Sequence, residues 1–159
     1  MKRTEQKSYR EGSVFCVPLR SGGFSVGIVA RANLETGILL GYFWGRKHRN
    51  VPEISEVDAL PETAILKARF GDLGLTSGTW PVIGSISWDR ERWPVPQFVR
   101  RDALSGTPSI VEYANDDPGE QIVLRPSDSK AVEGMPRDGL YGYGAVEITL
   151  TRLLAENAA

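Results

Sequence analysis

The chain has 159 residues, enough for one domain that hides about 70% of the surface its unfolded form exposes, so it needs no disulfide or metal staple. Hydrophobic residues at 41% and charged residues at 25% are ordinary for a soluble globular protein, and a formal net charge of −1 gives no global attraction to nucleic acid, anionic lipid or a strongly basic partner. One cysteine, Cys16, excludes an intramolecular disulfide and a cysteine-based zinc site within one chain.

Residues 1–10 read as a flexible basic lead-in, with a single globular domain over 11–156. The charged start is followed by no apolar signal core, and no run approaches the roughly 18 apolar residues of a membrane span. These features and the lone thiol predict a cytoplasmic protein without membrane attachment.

Three strand-length apolar runs follow, at 13–19, 24–31 and 38–44, divided by short polar or glycine-bearing connections. Phe24, Val26, Ile28 and Ala30 alternate with Ser25, Gly27, Val29 and Arg31, which predicts one buried face and one mixed face. Pro18 places the end of the first strand at an edge or a bulge, and Gly27 and Gly41 mark bends or close backbone approaches.

A basic loop at 45–50 ends this meander, and 51–62 reads as loop or helical turn. A strand is expected over 63–70, with Ala64, Leu66, Ala68 and Phe70 inward. In 79–88 the even positions Trp80, Val82, Gly84, Ile86 and Trp88 predict one aromatic face, and 93–98 is too proline-rich for a helix. Strands at 109–113 and 121–125, around the turn signal Asn115-Asp116-Asp117-Pro118-Gly119, predict a hairpin. After a loop over 127–144, Val146, Thr149, Leu150, Leu153 and Leu154 fall on one helical face. The expected fold is mainly β (α+β): a bent antiparallel sheet or small half-barrel with an SH3-like N-terminal meander, plus a C-terminal helix packed on the sheet.

No catalytic constellation stands out. His48 is the only histidine, and Arg46, Lys47 and Arg49 around it oppose the imidazolium that a general base must become. The glycines of 139–144 lack the lysine and hydroxyl of a phosphate loop. Four tryptophans exceed the filling needs of a domain this size and supply candidate anchors. The expected partner-binding set is Trp44, Arg46, Lys47, His48, Arg49, Trp88, Arg90, Trp93, Asp116 and Asp117, with no catalytic residue, metal or cofactor.

Glu11-Gly12-Ser13-Val14-Phe15-Cys16-Val17-Pro18-Leu19 and then Phe24-Ser25-Val26-Gly27-Ile28-Val29 resemble the opening of the immunity protein 26 family. Gly78-Thr79-Trp80-Pro81-Val82-Ile83-Gly84 is similar to its middle block, and Trp93-Pro94-Val95-Pro96-Gln97-Phe98 and the helix over 144–154 follow in similar order and spacing. The resemblance implies an immunity protein of a bacterial polymorphic-toxin system. Such a protein is not an enzyme; it binds a cognate toxin domain in the producing cell and blocks it. The implied protein is a monomer or weak homo-oligomer. The competing readings are a small-barrel nucleic-acid or peptide-binding adaptor, with the net charge disfavouring nucleic acid, and a small hydrolase using His48.

Overall fold

The computed structural model describes residues 7–157. In chain order the elements are β1 (Ser13–Pro18), β2 (Phe24–Asn33), β3 (Ile38–His48), single 3-10 turns at Ile54–Glu56 and Pro61–Thr63, β4 (Ala64–Gly71), the short α1 (Leu73–Thr76), β5 (Val82–Ser85), β6 (Phe98–Arg101), β7 (Pro108–Ala114), β8 (Asp117–Pro126), β9 (Leu140–Tyr141) and α2 (Tyr143–Asn157). A six-stranded sheet runs β5-β1-β2-β3-β4-β9, and a three-stranded sheet runs β6-β7-β8. The fold is mainly β, with the expected meander and C-terminal helix; neither sheet closes into a barrel.

The large sheet lies between two layers. On one face Phe15, Val29, Leu39, Phe43, Phe70 and Trp80 meet Val146 and Leu150 of α2. On the other face Val26, Ile28, Leu40, Tyr42 and Trp44 meet Trp93 and the inner side chains Phe98, Val111 and Tyr113 of the small sheet. This corrects the expectation of a mixed second face on β2: Ser25, Val29 and even Arg31 are buried, because both faces of the central strands are covered.

Close packing explains two of the strand glycines. A Cβ on Gly27 would sit 2.6 Å from the Phe15 ring and 2.8 Å from the Phe43 ring; one on Gly41 would sit 2.7 Å from the Phe70 ring. Phe15, Phe43 and Phe70 thereby reach mutual edge or tilted contact at 5.6–5.9 Å between ring centres. Pro18 ends β1 beyond the stretch that pairs with β5, where its missing N–H leaves no gap in a ladder.

Three other expectations change. Residues 79–88 do not share one face: Trp80 joins the α2 side, whereas Ile83, Ile86 and Trp88 join the opposite side. Only Val82–Ser85 is strand, so the period of two cannot run the full ten residues. The strand β6 follows directly on the proline-rich stretch and was hidden by it. In the hairpin, Asp117, Pro118 and Gly119 belong to β8, whose irregular register absorbs the extra residues beside Tyr113 and Ala114. Of the expected lead-in, residues 1–6 lie outside the described residues; within 7–10, Tyr9 is buried and Lys7 is paired to Asp72 at 3.3 Å, while Ser8 and Arg10 are exposed.

A strap runs from the small sheet to the large one. Asp138 N–H donates to the Val99 carbonyl and Val99 N–H to the Pro136 carbonyl, which covers the outer edge of β6. Two residues later β9 pairs in parallel with Arg69 and Phe70 of β4.

Candidate functional site

The ten expected binding residues fall into two groups at opposite ends of the large sheet. At one end β3 runs out into Arg46, Lys47, His48 and Arg49, with His48 opposite Phe24 at the start of β2. At the other end Arg90 and Asp116 gather near Arg31, close to the finish of β2. The span from Ser25 to Arg31 alone is about 20 Å of strand.

Tryptophans link the two ends through the interior. Trp93 is buried and makes an edge contact with Trp44 at 5.8 Å and a stacked contact with Trp88 at 5.7 Å. The Trp44 indole N–H donates to the Leu60 carbonyl at 2.9 Å. Trp44 and Trp93 are packed into the core and offer little surface of their own, Trp44 only where it borders the cavity lined by Arg46 and His48. Trp88 is half-buried and keeps an accessible edge.

At the basic end, Arg46, Lys47 and Arg49 are exposed, and none forms an ion pair among the described residues. Beside them a cavity of about 240 Å³ is lined by Trp44, Arg46, His48, Glu56, Asp58 and Thr63, among others. Burial and then the Arg46 charge hold the His48 imidazole below its ordinary pKa, opposed only by Glu56. No serine or cysteine lines this cavity, and among the described residues no three His, Cys, Asp or Glu side chains gather as a metal site.

At the other end Arg90 is already committed. Its Nε and one terminal nitrogen meet Glu11 at 2.7 and 2.9 Å, and its other terminal nitrogen pairs with Asp116. Asp117 accepts the Gly119 N–H at 2.8 Å and so serves its own turn. The sequence reading missed Glu11 and Arg31, whose positions in and beside apolar strands gave no sign of this network. Arg31 is buried and spends all five of its N–H groups: Nε on the Asn115 carbonyl at 2.9 Å, the others on the Ala30, Trp93 and Arg90 carbonyls and on Asn115 Oδ1. Arg31, Leu40 and Arg69 lie in one cross-strand row, so Arg69 faces the same side. Arg69 holds the Pro118 carbonyl at 3.2 Å and Asp138 at 3.5 Å and lies over the Tyr113 ring. The two arginines thus fasten the β7–β8 tip to the large sheet from both sides of β3.

Buried phenols report on this packing. Tyr42 donates to the Pro94 carbonyl and Tyr113 to Asp138 at 2.5 Å. Burial, joined at Tyr113 by the Asp138 hydrogen bond, pushes both from the usual value near 10 up to about 12. A pKa raised in the folded state favours folding below the unfolded value and loses that contribution as pH rises. Alkaline unfolding is therefore expected between pH 10 and 12. Phenolate absorbance at 295 nm should rise together with loss of the far-ultraviolet circular dichroism; ionisation of these phenols with the fold intact would contradict the packing.

Residues 10–109 match the family described as immunity protein 26. No curated protein and no solved structure matches the chain.

Proposed function

The chain belongs to the immunity protein 26 family, and from that premise we propose that it is a non-catalytic inhibitor that binds a cognate toxin domain in the bacterial cytoplasm and covers its active site. The single observation carrying this reading is the family match over residues 10–109. The structure adds an exposed basic end whose charges are not spent internally. Among the described residues no helix is long and apolar enough to cross a membrane.

Arg46, Lys47 and Arg49 are the proposed steering groups, because unpaired exposed cations act on an approaching acidic surface whereas Arg90 is already neutralised by Glu11 and Asp116. Trp88 supplies accessible aromatic area at the opposite end. A stable complex would bury roughly 800 Å² on each partner.

Co-expression with the product of the adjacent gene tests the reading. The product should harm cells alone, be silenced by this protein and co-purify with it. Reversing Arg46, Lys47 and Arg49 together to glutamate should slow association about tenfold, with a smaller effect on dissociation. A neighbouring product that is harmless, or that is harmful and does not bind, overturns the proposal.

A further inference from the structure

β4 is paired along its whole length on the β3 side, yet β9 covers its other side only at Arg69 and Phe70. Ala64 N–H closes the preceding 3-10 turn on the Pro61 carbonyl, and no backbone bond outside the ladders involves residues 65–68. This open edge is not on a flat surface. It forms one wall of a groove of about 520 Å³, with α2 as the second wall and the strap at 134–137 as the third.

The groove is chemically one-sided. Its lining carries three cations, Lys67, Arg137 and Arg152, and no carboxylate. Arg137 forms no ion pair among the described residues, and Arg152 has only Glu156 one helical turn away at 4.0 Å, both exposed. Ile65, Leu66 and Leu153 supply apolar wall between the charges. Across the strap, Arg100 and Arg101 line a second depression that shares Arg137. Two acids line that depression: Asp138, neutralised by Arg69 and Arg100, and Glu133, which forms no ion pair among the described residues.

The geometry points to a docking site for an extended acidic segment of a protein partner, which adds as a strand to the open edge of β4. An unpaired edge offers alternating N–H and C=O groups that only another peptide backbone matches, with pockets for alternate side chains. The three cations, of which only Arg152 has a carboxylate within ion-pair distance among the described residues, select carboxylates on the incoming strand. The open edge at 65–68 accommodates about 13 Å of partner chain. The inference goes beyond the proposed toxin contact at the basic end and does not depend on the partner being a toxin.

The test uses the protein alone with fluorescein-labelled hexapeptides alternating glutamate or lysine with valine, and with hexathymidylate. The glutamate peptide should bind, the lysine peptide should not, and exchange of the Ile65 and Lys67 amide hydrogens, which alternate away from β3, should slow when the glutamate peptide is added. The double variant Arg137→Glu, Arg152→Glu changes only exposed side chains and should keep the thermal midpoint while weakening binding at least about tenfold. The triple reversal at Arg46, Lys47 and Arg49 should leave this binding unchanged. Equal binding by the double variant, binding without slower exchange at Ile65 and Lys67, or hexathymidylate binding as tightly as the peptide would each overturn the inference; the last would assign the groove to nucleic acid. Neither the presence nor the absence of a toxin enters these outcomes.

Discussion

Replacing Arg31 with leucine is expected to lower the stability of the protein by about 3–5 kcal/mol, because a removed buried cation strands the groups it satisfied. The side chain is 1% exposed, and its five N–H groups go to the Asn115, Ala30, Trp93 and Arg90 carbonyls and to Asn115 Oδ1. Leucine fills part of the volume but leaves the Ala30 and Trp93 carbonyls buried without these donors. Lysine carries the charge but only three donors on a flexible stem, so Arg31→Lys should still cost about 2 kcal/mol. Urea unfolding of the three proteins measures this. A leucine variant within 1 kcal/mol of the parent would show that the carbonyls find other partners, and the account of the β7–β8 tip would fail.

Trp80→Ala is expected to cost a similar ~3–5 kcal/mol, the usual range for truncating a buried tryptophan. Trp80 is 1% exposed, stacks on Phe15 at 5.7 Å and leans on Phe70 at 5.7 Å. Its indole lies over Gly74, where a Cβ would come within 2.6 Å. Its N–H donates to Glu147 Oε2 at 2.9 Å, and Glu147 also receives Arg20 at 3.1 Å. The tryptophan is thus both filler and fastener for α2. Trp80→Phe keeps most of the ring packing and loses the hydrogen bond, so a loss of about 1–2 kcal/mol is expected. Comparing the two variants by denaturant unfolding, with helical circular dichroism as the readout, separates the two contributions. Equal losses in both would assign the whole effect to the indole N–H.

The parts of the fold legible in the sequence were those whose pattern is local. The three meander strands, the strand at 63–70, the hairpin and the C-terminal helix each carry their own period or turn chemistry. The illegible parts depend on what lies across the sheet. Arg31 occupies an alternating position that normally faces solvent, and only the second sheet laid over β2 makes it a core residue. Trp80 and Trp88 share parity over eight residues yet face opposite cores, because the intervening strand is only four residues long. The same limit governed the candidate site. Tryptophan and arginine are the residues expected at interfaces, but here Trp44 and Trp93 hold the interior together and Arg90 answers Glu11 and Asp116. Of the candidate cations, Arg46, Lys47 and Arg49 form no ion pair among the described residues and keep the free charge their composition advertised.

The strap at 136–141 gives the protein a late clasp. Until those residues leave the ribosome, β6 has no outer cover, β4 has nothing beside Arg69 and Phe70, and Trp80 still lacks Glu147. Translation delivers all the strands from β1 to β8 before the pieces that lock them arrive, and what emerges first is two apolar sheets with bare margins. Synthesis that stalls inside this stretch would release a sticky, half-fastened product, so the moment of locking in the cell is set by the emergence of residues 136–147 rather than by that of the meander.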